Sequence, residues 1–254
     1  MLDPASISAA FETIWLDMQH AGFWVSVLQI IWIDILLAGD NAVVIALACR
    51  NLPPHLRVWG MVLGAGVAVL LRILFTLVVS TLMTLPYLKV IGGVALVYIA
   101  IKLLVPEDET EAKDIQSSDR LWSAVRIVAL ADIVMSLDNV IAIAAVAKGN
   151  AVLYIFGLAA SVPLIVAGAA LFMTLLTRFP FLVWAGAGLL GWIAGELIMA
   201  DAVVKSFIVV MFGAGALSTV MVAGGVTGII LVLGVGAFLR RRNRTSPAPS
   251  ESSS

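Results

Sequence analysis

Residues 33–48 read IDILLAGDNAVVIALA, which sets Asp34, Asp40 and Asn41 in a stretch that is otherwise apolar. The 254-residue chain around it is 62% hydrophobic and 12% charged, with a mean hydropathy of +1.10. Soluble domains are near half apolar and about a quarter charged, so this composition belongs in a bilayer. The net charge of −1 gives no basis for nucleic-acid binding, and membrane lipids are the expected surroundings. One cysteine, Cys49, excludes an intrachain disulfide and a thiolate metal cluster. The two histidines, His20 and His55, sit at the edges of apolar runs.

A membrane span needs about 20 apolar residues at 1.5 Å rise each. That ruler marks seven runs: 23–48, 57–81, 86–105, 121–147, 151–176, 180–200 and 207–239. The last is longer than one span. It is either a tilted helix or a short interfacial segment from about 203 followed by a span from about 216. Pro86 and Pro180 fit helix starts, where a missing N–H costs nothing. Ten basic residues (Arg50, Arg57, Lys113, Arg120, Arg126, Arg178, Arg240, Arg241, Arg242, Arg244) fall on one side of this arrangement. Only Lys89, Lys148 and Lys205 fall on the other, which predicts an outside N-terminus and a cytoplasmic C-terminus. The acidic residues at 106–120 then form a solvated cytoplasmic loop, 1–22 is extracytoplasmic, and the basic tail 240–254 is expected to be disordered.

The opening stretch recurs. Residues 132–146 read DIVMSLDNVIAIAAV against DILLAGDNAVVIALA at 34–48; each copy has Asp, five residues, Asp, Asn and a small-and-branched apolar run. The correspondence continues from Pro86 and Lys102 to Pro180 and Glu196, with the offset shrinking from 98 to 94. This is the mark of a duplicated unit: 23–105 and 121–200 are two three-helix repeats, followed by a seventh-helix region at 201–239. Three is odd, so the second copy enters the bilayer from the opposite face. The expected fold is an all-α membrane protein of seven transmembrane helices, two inverted three-helix repeats plus a seventh helix, N-out and C-in. Many secondary transporters share that plan, with sites near the midplane at the repeat interface.

Inversion predicts an outer layer holding Asp34 and Asp138 and an inner layer holding Asp40 and Asp132. Helical phase aligns Asp34 with Asn41, seven residues apart, but turns Asp40 away by about 120°. Either the cavity is wide or the helices loosen near Gly39 and Ser136, and local distortion is the favoured reading.

A charge near the bilayer centre costs roughly 2.5–3.5 kcal/mol even on a lenient scale. The available cations, Arg72, Lys102 and Arg126, do not balance Asp34, Asp40, Asp132, Asp138 and Glu196. Purely structural ion pairing is the weaker explanation, and a divalent cation is the natural missing partner. The ligands on offer are oxygens, which suit Mg, Ca or Mn rather than Zn or Cu. Met135 offers a sulfur beside the motif, although core filling is its simpler role.

The paired D-x5-D-N motifs, together with the lysine of the IKLL segment, resemble the TerC family and within it the YjbE-like group, over about residues 25–200. That resemblance implies Mn2+ exporters of the bacterial inner membrane, related to the LysE superfamily of exporters. Carried over residue by residue, it implies a metal site of Asp34, Asp40, Asn41, Asp132, Asp138 and Asn139, with Mn2+ as transported substrate and no organic cofactor. Lys102 matches the family's third-helix lysine.

The remaining candidates have two readings each. Arg72 is expected to pair with an acid and hold the site in register, in preference to gating directly. Lys102 either snorkels or screens charge at the inner layer. Glu196 either extends an exit route or packs against a basic residue, and Asp201 is expected to be solvated at a helix end. Gly60 and Gly64, Gly191 and Gly195, and Gly224 and Gly228 are spaced for close helix packing, within the chain rather than in a homo-oligomer. Two other functions fit some of these features: transport of Ca2+ or another cation, with or without H+ exchange, and an intramembrane aspartyl protease. The protease needs one acidic dyad, whereas here an acid pair followed by Asn occurs twice.

Overall fold

A computed structural model describes residues 19–37, 39–82, 85–105, 117–147 and 151–245. Within these, the side chains of 37, 76–82, 117, 137–147, 151, 214 and 243–245 lie outside the description. The expectations for the N-terminus 1–18, the bulk of the acidic loop (106–116) and the end of the tail (246–254) also lie outside the described residues.

Every regular element among the described residues is helical. In chain order the α-helices are α1 (Ala21–Leu37), α2 (Gly39–Cys49), α3 (Pro54–Leu82), α4 (Leu88–Leu104), α5 (Ser117–Ala147), α6 (Ala151–Arg178), α7 (Leu182–Met199), α8 (Ala202–Phe212) and α9 (Leu217–Thr245). A short 3-10 turn, Ala214–Ala216, joins α8 to α9.

By length and composition, four of the described helical stretches can cross a bilayer: Pro54–Phe75, Val152–Arg178, Leu182–Met199 and Leu217–Arg242. The bent pair α1 and α2 makes a fifth if taken as one span. The expectation of seven is thus met only in part. The run at 86–105 yields the 17-residue α4, with a lysine near each end, and at 1.5 Å per residue this is only about 25 Å of helix. The run at 121–147 lies in the 31-residue α5, which carries charges along the described part of its length.

Two boundaries bear on the function. The first run divides into two helices, α1 and α2, bent by 57°, and α2 begins at Gly39, where helix propensity falls by about 1 kcal/mol relative to Ala. The distortion expected near Ser136 is absent, since α5 runs through it unbroken. The second copy has Leu137, a good helix former, where the first has Gly39. At the C-terminal end, the overlong last run resolves into the short α8 and the long α9, the second of the two expected arrangements.

The helices pack in two connected groups. α5 lies against α3, α2 and α1, and α6 lies against α1, α2 and α3. α7 packs on α4 and, most extensively, on α9. Glycine permits that last contact. A Cβ built on Gly191 would stand 2.6 Å from the Gly228 carbonyl oxygen, and one on Gly195 would run into the Gly224 carbonyl. Within lipid, where tails are as apolar as leucine, such close approach of backbones is a main source of helix association. Gly60 and Gly64 also face in-chain neighbours, Leu52 with Cys49 and Val128 respectively. Arg240 ties the end of α9 to the start of α7 by lying 5.7 Å over the Trp184 ring.

Asp201 corrects an expectation. It is only 2% exposed, not solvated. One carboxylate oxygen accepts from the backbone N–H of Val203 at 3.0 Å, capping α8. The other accepts from the N–H of Lys89 at 3.2 Å, in the first turn of α4. Tyr87, at the N-cap position of α4, offers no side-chain bond. One buried acid therefore satisfies orphan donors at two helix starts, which offsets its burial.

The α7–α9 contact predicts opposite outcomes at two glycines. Gly195→Ala should lower the thermal stability of the detergent-solubilised protein by about 1–3 kcal/mol, the usual cost of overpacking. Gly66→Ala, where a Cβ meets nothing within 4 Å, should be neutral or stabilising by up to about 1 kcal/mol through helix propensity. Unfolding curves of the two variants check this.

Candidate functional site

The site is built around Arg72, which α3 carries inward to 1% exposure. Its guanidinium reaches two helices at once. Nη1 donates to Asp34 Oδ1 on α1 in a very short contact, and Nη2 donates to Asp132 Oδ1 on α5 at 2.6 Å. Nε donates to the Ser136 hydroxyl at 3.1 Å, one turn beyond Asp132. The planar fork of an arginine suits this task, because its donors diverge at fixed angles and it is more weakly hydrated than an ammonium.

Each acid has further partners. Asp34 is 0% exposed and its Oδ2 accepts from the Ser161 hydroxyl of α6. That hydroxyl also lies 2.8 Å from the Leu158 carbonyl, so its one proton serves either acceptor. Asp132 is 3% exposed, and its Oδ1 takes a second donor, Asn41 Nδ2 of α2, at 3.0 Å. The Tyr154 hydroxyl donates to the Arg72 backbone carbonyl at 3.3 Å. Four segments (the α1–α2 pair, α3, α5 and α6) therefore meet in one buried polar cluster.

The network leaves two carboxylate oxygens over. Asp132 Oδ2 and Asp40 Oδ1 are buried and make no hydrogen bond among the described residues. The Ser136 hydroxyl interacts favourably with the Asp132 carboxylate without closing a regular bond to Oδ2. Asp40 feels the charges of both Arg72 and Asp132. Beside the cluster lies a cavity of about 10 Å³, lined by Asn41, Arg72, Asp132 and small or branched apolar side chains. That is room for on the order of one water.

Of the residues singled out from sequence, Asp34, Asn41, Arg72 and Asp132 share one network, with Asp40 beside it. Asp34 and Asn41 both turn to the cluster, but from two helices bent by 57°, so helical phase along one helix is not what brings them together, and Asp40 makes no bond to the cluster among the described residues. Arg72 joins Asp34 directly to Asp132, a link that the outer and inner layers did not foresee. The side chains of Asp138 and Asn139 lie outside the described residues. Among the described residues, no three Asp, Glu, His or Cys side chains converge closely enough to hold a metal ion.

Lys102 and Glu196 take no part in the Arg72 network. Lys102 is exposed and lines a separate cavity of about 80 Å³ with Asn51, Asp119, Arg120 and Ser123. Glu196 is half-buried on α7. Sequence reasoning missed Ser161 and Tyr154. Ser161 is the one hydroxyl in the apolar stretch ASVPLIVAGAALF at 160–172, and that isolation was the available signal.

Arg72 also breaks the correspondence between the two copies. Carrying it forward by the repeat offset of 94 residues lands on Val166. One copy supplies the guanidinium and the other an apolar side chain.

Long apolar helices around a buried ionic cluster define a multi-pass integral membrane protein. The chain belongs to the TerC family of integral membrane proteins, whose family model matches residues 19–244. Three proteins of Bacillus subtilis (strain 168) are similar to it. The uncharacterized membrane protein YjbE is 44% identical over 184 residues, covering 72% of this chain and 83% of YjbE. The uncharacterized membrane protein YkoY is 30% identical over 195 residues, 69% of this chain and 60% of YkoY. The uncharacterized membrane protein YceF is 27% identical over 179 residues, 67% of this chain and 69% of YceF. No solved structure matches the chain.

The cluster predicts an asymmetric mutational response. Arg72→Leu should destabilise the protein by about 3–5 kcal/mol, because it strands buried carboxylates. Adding Asp34→Asn and Asp132→Asn to that variant should restore most of the loss. Thermal unfolding of the single and triple variants in detergent checks this.

Proposed function

We propose that this protein is a divalent metal ion transporter of the bacterial inner membrane, not an enzyme, and that Mn2+ is its transported substrate, moved outward by alternating access. In this reading the chain has seven spans, α1 with α2 forming the first, and two inverted three-helix repeats, with the N-terminus outside and the C-terminus in the cytoplasm. Asp34, Asp40, Asn41, Asp132, Asp138 and Asn139 form the metal site.

The observation that carries the reading is the meeting of Asp34 and Asp132. These residues hold equivalent positions in the duplicated motif, 98 residues apart, yet share one guanidinium in a buried cluster. Buried carboxylate oxygens with no hydrogen bond among the described residues stand beside it. Intramembrane acids are functional by default, and an all-oxygen ligand set favours Mn2+, Mg2+ or Ca2+.

Helix packing supports the inverted repeat. α3 lies on α5 as α6 lies on α1 and α2, while α2 with α5, α3 with α6 and α4 with α7 each pair an element with its own counterpart. A two-fold axis in the membrane plane produces that pattern. An aspartyl protease would need two acids sharing a proton; a guanidinium between Asp34 and Asp132 favours transport instead.

Purified protein in lipid vesicles, assayed across a panel of divalent ions, tests the proposal. Mn2+ should move fastest, with Ca2+ and Mg2+ slower. Asp34→Asn, Asp132→Asn and Asp138→Asn should each reduce Mn2+ flux by at least about 10–100-fold, the loss that even outer-shell changes around a metal produce, at unchanged abundance in the membrane. Clustered carboxylates also raise one another's proton affinity, so arriving metal should release H+, which a pH-sensitive dye on the vesicles detects. Full flux in the three variants would remove the site, and flux without proton movement would remove the coupling.

A further inference from the structure

If Asp34 and Asp132 hold the transported ion, the structure raises a conflict: the place between them is taken. Arg72 binds both acids at once, and the adjoining cavity, about 10 Å³, takes roughly one water. An ion with its ligands cannot enter while the guanidinium stays. We propose that Arg72 is a tethered counter-cation: it occupies the site whenever no metal ion is held there, and ion and guanidinium exchange places on the same carboxylates during each transport cycle. This inference rests on the transport reading above.

Three features support exchange over a fixed structural bridge. First, Asp132 Oδ2 and Asp40 Oδ1 are buried without hydrogen bonds among the described residues. A cluster built only for stability would satisfy all its lone pairs, since a half-satisfied buried network is worse than an apolar one. These oxygens fit a cation that the guanidinium replaces only in part. Second, the guanidinium donates to both of the acids that the arriving ion would occupy, so its retreat releases the oxygens the ion needs. Third, the repeat counterpart of Arg72 is apolar, Val166. One copy of the framework holds together without a cation at that position.

Self-occupation has a mechanistic consequence. An emptied site with two bare carboxylates is expensive deep in a bilayer, so a carrier without Arg72 can reorient only with a metal ion or protons aboard. A built-in cation removes that restriction and lets the empty carrier return. Arg72 is thus a positioning residue for the return step.

The experiment compares wild type, Arg72→Gln and Arg72→Lys as full-length proteins. Mn2+ binding is measured in detergent. Net Mn2+ uptake into metal-free vesicles and tracer exchange into Mn2+-loaded vesicles are measured after reconstitution. In Arg72→Gln the binding should tighten about tenfold, the penalty lifted if self-occupation holds about nine-tenths of the molecules. Net uptake should collapse at a pH high enough to keep the freed acids ionised, while tracer exchange persists. Arg72→Lys keeps the charge but loses the fork, so its binding should tighten less and some net uptake should remain. Binding that is unchanged or weaker in the folded variants, with uptake and exchange falling together, overturns the inference and leaves Arg72 a structural bridge. Should Arg72→Gln fail to fold, Arg72→Lys decides by the same criterion. A wild-type protein that neither binds nor moves any divalent ion defeats the transport reading and this inference with it, whereas wild-type binding and flux with unaltered variants defeat this inference alone.

Discussion

The fold depends on a charge that has no water to retreat to. Arg72 sits at 1% exposure between Asp34 at 0% and Asp132 at 3%, and none of the three is tolerable there alone. Removing one member of such a group leaves an uncompensated buried charge, which is why breaking a buried pair costs far more than the pair contributes. That constraint fixes how α1, α3 and α5 sit against one another more sharply than apolar packing does, since aliphatic surfaces in lipid gain little by choosing each other over a tail. Ser161, Tyr154, Asn41 and Ser136 then draw in α6 and α2 and hold the ends of the network.

Around this ionic centre the protein uses two other ways of holding helices together. Between α7 and α9 the side chains are removed altogether, and Gly191 and Gly195 meet Gly228 and Gly224 backbone to backbone. Between α4 and α8 a single carboxylate, Asp201, takes one amide from each helix start. The two devices sit in the α4, α7 and α9 group, while the charged cluster sits among α1, α2, α3, α5 and α6. One part of the molecule is therefore bound by close backbone contact and helix capping, and the other by an ionic bridge.

Much of this was legible in the sequence, for reasons that also explain the gaps. The apolar runs located nearly every helix, because burying backbone in hydrocarbon requires helical hydrogen bonding whatever the side chains do. The motif spacing foretold trouble at Gly39, since residues six apart cannot share a helix face, and the chain does break there. The same spacing misled at Ser136: Leu137 stands where the first copy has Gly39, and local propensity kept α5 whole. Asp201 was misjudged because a helix end was taken to mean solvent, when two helix starts converge on it. Ser161 offered only its isolation in an apolar stretch and Tyr154 no signal, as their roles exist only once α6 lies beside Asp34 and Arg72. The Arg72 bridge was hidden for the same reason. Inversion symmetry predicts which acids lie at equal depth, but not that an arginine from a third helix will reach across.

The unevenness of the two copies has a bearing on ancestry. Two identical three-helix subunits, associating as separate polypeptides, would have to present the same residue at both equivalent places, either a pair of guanidinium groups or none. Having one becomes available only after the halves are encoded in tandem and free to diverge. On the proposed inverted arrangement, the difference between Arg72 and Val166 therefore arose after gene fusion, and a homodimeric forerunner would have worked with a differently balanced interior.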